Sequence, residues 1–221
     1  MKRSDLFFTI FIIVVFAPFF IYDDLYNGYI KFNSEHSYIM SYIKFAFLAT
    51  LGEVITLRMT QKVYNKKGFG ILPRAIVWGF LGILIKVAFV IFATGTPNLI
   101  SSLGFNQYPD IVKAFTISVT MNIFFAPVMM TLHKITDIHI INNGGTIKGL
   151  FRPIEFAKIF PTINWEIMWG FVFKKTIPLF WIPAHTITFM LPKDFQILFA
   201  ALLGIALGVI LAFASKKSEK K

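Results

Sequence analysis

Four side chains that lipid cannot satisfy stand within apolar stretches: Glu53, Lys86, Asn122 and His185. A carboxylate and an ammonium at bilayer depth can neutralise one another, and an amide and an imidazole can relay hydrogen bonds. One such group on each of four apolar segments is the pattern of a solute path through a helix bundle. The same groups would also serve a non-conducting scaffold, in which they only lock helix order. Glu53 lies about four residues, and Lys86 about eleven, from the same side, a depth difference of roughly 10 Å at 1.5 Å per residue. Side chains lean toward a helix's N-terminus, so on antiparallel helices the two should converge, directly or through another polar group.

The run TIPLFWIPAHTITFMLP, Thr176 to Pro192, puts Pro178, Pro183 and Pro192 among oily residues. Pro183 removes the donor that would bond the Leu179 carbonyl, and Pro127, one turn from Asn122, does the same near Ile123. Broken helices are tolerated at membrane depth only when buried in protein or lining a wet cavity. His185, Thr186 and Thr188 are placed to satisfy the freed groups, so these faults belong on an inward face. HKITDIH, His133 to His139, lacks an i,i+4 histidine pair and reads as a solvated cluster rather than a metal site. No H-E-x-x-H, G-x-S-x-G, Walker loop or dinucleotide fingerprint occurs. The expectation is therefore no enzyme, no cofactor and no metal, with a membrane enzyme the weakest alternative.

The elements that must hold these groups are membrane helices. The 221 residues are 56% hydrophobic and 15% charged, more apolar and less charged than a soluble domain. Cysteine is absent, which removes disulfides and thiolate chemistry. Six apolar segments appear, at about 6–22, 38–57, 75–93, 111–132, 176–191 and 195–214, most near the roughly 20 residues that span a bilayer. Of the 22 Lys and Arg, 17 fall at the two ends and in alternate connections. That alternation fits six spans with both termini cytoplasmic, and it argues against nucleic acid as the reason for the net charge of +11. The first segment lacks a small-x-small cleavage site and is expected to stay as a helix. The fold class is thus an all-α integral membrane protein, one transmembrane domain over 1–221 with a basic cytoplasmic tail at 216–221. Its partners are the bilayer, anionic headgroups at the cytoplasmic face and an unidentified small solute.

Lys174 and Lys175 would sit mid-bilayer if the fifth span began at Trp165, so residues 161–175 are expected as a separate interfacial helix with Trp165 and Trp169 at headgroup level. Lys44 and Lys113, near the outer ends of their spans, are expected to snorkel. INNGGTIKG is expected to be the most mobile connection. Small and polar residues recur at helical spacing in three spans. They are Ala46, Ala49, Thr50, Glu53 and Thr56; Ala114, Ser118, Asn122 and Ala126; and Ala200, Ala201, Gly204, Gly208 and Ala212. Such stripes let helices approach closely, here within the chain, although the same spacing also serves a homo-oligomer.

LATLGEVITLRM with Gly52 and Glu53, NIFFAPVMM with Ala126 and Pro127, and Trp181, His185, Thr188, Phe189 and Pro192 carry a likeness. Through them the chain, over about residues 45 to 213, resembles the twenty-two-kilodalton peroxisomal membrane protein family, which includes the inner mitochondrial membrane protein Mpv-seventeen. His185 and Thr188 replace the family's Gln and Asn, and its Pro-x-x-His-x-Trp-Tyr run is absent. The resemblance implies an organellar or bacterial membrane protein and a small-solute channel; the expectation is a distant prokaryotic relative in a bacterial or archaeal plasma membrane, a channel or transporter for a small polar solute.

Overall fold

The computed structural model describes residues 2–218, so residues 219–221 of the expected basic tail lie outside the described residues. Among the described residues every regular element is a helix. The chain divides after Met40 into two units.

The first unit holds α1 (Arg3–Phe16), α2 (Pro18–Ile21) and α3 (Asp23–Glu35). Asp5 accepts from the Lys2 backbone N–H at 2.9 Å and so caps the first turn. No residue of α1 or α2 is buried in the fold, as befits an apolar helix whose partner is lipid. After the first apolar segment the chain is helical over Asp23–Glu35, with Asp23 and Asp24 favourably placed in its first turn.

Next come α4 (Ser37–Gln61), α5 (Ile71–Ser102), α6 (Asp110–Phe124) and α7 (Ala126–Asn142). Short helices α8 (Ile147–Leu150) and α9 (Phe156–Ile159) follow. Then come α10 (Trp165–Ile167), a π-helical run Met168–Trp181, α11 (Ile182–Met190) and α12 (Lys193–Ser218). Among the described residues four helices are long and apolar enough to cross a membrane: Arg3–Ile21, Ser37–Gln61, Ile71–Ser102 and Lys193–Phe213. Asp110–Phe124 with Ala126–Asn142 makes a fifth if taken as one span bent by 47°. The protein is a polytopic all-α membrane protein. The bend falls at Phe125, where Pro127 has no N–H to give the Ile123 carbonyl and its ring crowds that turn.

Close approach is written into the small residues. A Cβ on Gly82 would lie 2.6 Å from the Phe45 Cβ and 2.7 Å from the Ser41 carbonyl, so α4 and α5 touch backbone to backbone. A Cβ on Gly52 would meet the Ile205 Cα at 3.1 Å, and one on Gly208 would meet the Thr56 hydroxyl at 2.5 Å. The stripes of α4 and α12 therefore face each other inside one chain. Ala114, Ser118, Asn122 and Ala126 are all buried, and α6 lies along α11.

Several expectations change here. A 3-10 turn over Phe160–Thr162 stands before Trp165, but no break separates residues 165–175 from residues 176–190: α10, the π-helical run and α11 form one helix from Trp165 to Met190. Lys174 and Lys175 are exposed on its outer side, with the Lys174 ammonium 5.7 Å from the Trp169 ring centre, so the helix accommodates the lysines without ending. Lys113 is exposed, but Lys44 is buried at 6% exposure, in the electrostatic reach of Asp194 and Lys86. INNGGTIKG runs from the last turn of α7 through a turn at 143–146 into α8, with most of its residues exposed. Gly144 and Gly145 take φ of 72° and 67°, and Gly145 N–H closes α7 on the Ile140 carbonyl at 2.9 Å.

Candidate functional site

A cavity of about 410 Å³ lies in the second unit, walled by α4, α5, α6, α7, the π-helical run, α11 and α12. Most of its wall is aromatic, Met, Leu and Ala side chain, with Phe45, Phe89, Met121 and Leu207 representative. Its volume lies within the range typical of small-molecule sites.

One pole of the cavity is charged. Arg74 is 7% exposed and stands in the first turn of α5, behind Gly70, whose φ of 71° turns the chain into the helix. Its Nε donates to the Phe69 carbonyl at 2.7 Å and its Nη1 donates to Glu53 Oε2 at 2.5 Å. Its Nη2 is ion-paired with Asp137 Oδ1 on α7. One guanidinium therefore clasps three helices, using the fixed fork that a lysine lacks. Glu53 Oε1 also accepts from Trp78 Nε1 at 2.8 Å, and His133 Nε2 stands 3.6 Å from the same oxygen. His133 packs on the Trp78 ring with centroids 4.4 Å apart. Lys134 reaches the outer oxygen of Asp137 at 3.4 Å.

The other polar group of the wall is a buried dyad. Asn122, with no exposure, donates through Nδ2 to the Ser118 carbonyl at 2.9 Å and to His185 Nδ1 at 3.0 Å. With both amide hydrogens engaged, His185 Nδ1 acts as acceptor and the imidazole proton belongs on Nε2. Ser118 Oγ donates across to the Ile182 carbonyl at 2.7 Å, which ties α6 to the first turn of α11. His185 stacks on Trp181 with centroids 5.1 Å apart and meets the edge of Phe89. Asn122 Oδ1, Trp181 Nε1 and His133 Nδ1 are buried on cavity-lining residues and have no hydrogen-bond partner among the described residues. Unpaired buried polar atoms are rare, and each marks a place where a guest group would be welcomed.

Of the residues singled out by sequence, Glu53, Asn122 and His185 meet on this one cavity, while Lys86 is half-buried on α5 and outside its lining. The cation expected to meet Glu53 is Arg74 rather than Lys86. Helix α5 begins at Ile71, so Arg74 is inside it and reaches Glu53 from the turn side. Thr188 is fully buried and bonds back to the Ala184 carbonyl at 2.9 Å, away from the cavity. Trp181 and Ala126 line the cavity. Gly52 packs on Ile205, and Phe189 lies against Phe89 at 4.8 Å between centroids. Pro178 and Pro183 are exposed on their helix, and Pro192 follows α11 in the turn to α12.

Arg74, Trp78, His133 and Asp137 were not foreseen at the site. His133 to His139 is part of α7, not a hydrated connection, because its polar residues find partners within the fold. No group of metal-ligating side chains occurs among the described residues.

Replacing Asn122 with Leu should remove the hydrogen-bond partner of the buried His185 Nδ1 and lower stability by about 1–3 kcal/mol. In a double-mutant cycle in detergent, Asn122→Leu and His185→Leu should couple by about 1 kcal/mol or more, and simple additivity would show that the dyad does not act as a unit.

Comparison with protein-family models, with curated proteins and with solved structures finds no match to this chain.

Proposed function

We propose that this membrane protein binds a small organic solute, with an apolar body and a polar head, inside its helix bundle and moves it across the bilayer. The carrying observation is the 410 Å³ cavity, whose mainly apolar wall carries a charged pole and a buried amide–imidazole pair. Binding sites of this kind combine an apolar wall with a few placed polar groups. The wall narrows the sequence-based expectation of a purely polar solute toward an amphipathic one.

In this proposal the helix from Trp165 to Met190 is a further crossing, which gives six spans and places both termini in the cytoplasm. Arg74, in the basic turn between α4 and α5, then lies at the cytoplasmic end, and its clasp on Glu53 and Asp137 closes that end. Kinship with the twenty-two-kilodalton peroxisomal membrane protein family, and a bacterial or archaeal plasma membrane, belong to the same proposal. Support comes from Glu53, Ala126, Trp181 and His185 of the quoted motifs sharing one cavity. A non-enzymatic role without a cofactor is proposed on the same footing. A scaffold is the second reading, favoured by one observation: the Glu53–Arg74–Asp137 clasp is closed.

Gly204 offers the test, because a Cβ there meets nothing within 4 Å while the residue lines the cavity. From a panel of leucine, phenylalanine and, as controls without an apolar body, ribitol and potassium, proteoliposomes should take up leucine or phenylalanine faster than protein-free liposomes. Gly204→Phe should fill the cavity and cut that uptake by about tenfold or more, with thermal stability little changed because the added ring occupies free space. Folded protein that passes none of the panel would favour the scaffold.

A further inference from the structure

A second cavity, of about 380 Å³, lies outside the bundle's interior site, where α7 ends and the segment carrying α8 and α9 folds back on it. Its wall includes His139, Asn142, Asn143, Arg152, Glu155 and Lys158. From these groups we infer a binding site for the phosphate of an anionic lipid headgroup.

The site stands on a fixed platform. His139 is 2% exposed and uses both ring nitrogens, Nε2 at 3.1 Å from the Leu150 carbonyl and Nδ1 at 3.3 Å from Asn143 Nδ2. A single tautomer satisfies both contacts: Nε2–H donates to the carbonyl, and Nδ1 accepts from the amide. Asn143 also donates to the His139 carbonyl at 2.9 Å, which leaves its own Oδ1 to accept from Arg152 Nη1 at 3.4 Å. That is the one hydrogen bond of the Arg152 side chain among the described residues, so most of its donor fork remains for a ligand. An arginine fork matches the paired oxygens of a phosphate.

Charge favours the same ligand. Glu155 is the one acid lining the pocket, and Lys158 pairs with it at 2.5 Å, so the charge of Arg152 is left uncompensated there. Lys148 adds a further positive charge on the same segment.

The surroundings choose lipid over a soluble anion. Phe151, beside Arg152 in sequence, is 74% exposed, and Phe156 and Phe160 are about half exposed on the same segment. Bare aromatic side chains interleaved with basic ones suit the headgroup and acyl boundary, where rings enter the apolar layer and cations meet phosphates. A site for a free anion needs no such apolar flank.

The test uses the full chain in nanodiscs of equal parts phosphatidylcholine and phosphatidylglycerol, followed by native mass spectrometry of the released protein. Phosphatidylglycerol should be retained over phosphatidylcholine, and Arg152→Gln should reduce that retention about fivefold, the effect of one basic contact at a membrane surface. Arg152→Lys, which keeps the charge and loses the fork, should fall between. Lys67→Gln, on the exposed α4–α5 turn, should change nothing. Equal retention of the two lipids, or an equal loss with Lys67→Gln, would overturn the assignment in favour of diffuse attraction. Displacement of the lipid by inorganic phosphate would overturn it in favour of a soluble anion.

Discussion

Arg74→Gln should lower the stability of the protein by about 3–5 kcal/mol, the characteristic penalty for removing one member of a buried ion pair. The guanidinium is the shared partner of Glu53 and Asp137, and its loss leaves two carboxylates facing each other beside an apolar cavity. Adding Glu53→Gln should recover part of the loss, because one of the two unpaired charges is then gone. Lys86→Gln, by contrast, should change stability by no more than about 1 kcal/mol, since Lys86 is half-buried and outside the clasp. Unfolding in mixed detergent and sodium dodecyl sulfate measures all of these. If Lys86→Gln is as damaging as Arg74→Gln, the pairing described here is wrong.

Gly145→Ala should be the other severe change. The residue takes φ of 67°, which costs an alanine about 1–2 kcal/mol. Its Cβ would also lie 2.7 Å from the Gly68 carbonyl carbon and 2.8 Å from the Gly70 nitrogen, against backbone that has no rotamer to yield. Overpacking of this kind adds about 1–3 kcal/mol. Gly144 is the internal control: its φ is 72°, but a Cβ there meets nothing within 4 Å. Gly144→Ala should therefore cost only the backbone share, about 1–2 kcal/mol. Equal melting temperatures for the two variants would show that the α4–α5 and α7–α8 turns are not pressed together. The contact bears on function because these turns flank the Arg74 clasp.

The helices were readable from apolar length, since a stretch that crosses lipid must satisfy its own backbone. Ends were less readable. Hydropathy falls near Leu57, Phe92 and Leu132, yet α4, α5 and α7 continue to Gln61, Ser102 and Asn142. The added lengths carry hydroxyl side chains that bond within the protein, as Thr96 does with Thr120 at 2.7 Å and Thr60 with the Thr56 carbonyl at 2.8 Å. This is also why half the charged pole went unseen. Arg74 looked like one more positive charge marking a cytoplasmic turn, and Asp137 looked solvated within HKITDIH. Each is ordinary alone, and only the fold brings them to Glu53. The spacing of small residues carried more information: the stripes of α4, α6 and α12 are the faces that pack, because close helix contact admits few residue types. The Glu53–Lys86 expectation failed for a geometric reason. Depth and lean would bring Glu53 and Lys86 together on two isolated helices, but Arg74 on the same helix as Lys86 has a fork that reaches both Glu53 and Asp137.

The bundle holds a solute-sized space lined by Gly204 and reached by Glu53, Asn122 and His185. The chain has no cysteine, so a single Gly204→Cys thiol can report on that space without background. In intact proteoliposomes a small water-soluble methanethiosulfonate should modify Gly204→Cys, while Ile210→Cys, on the lipid-facing side of α12 at 51% exposure, should stay unmodified. Modification of Ile210→Cys alone, or of Gly204→Cys only after denaturation, would contradict the account.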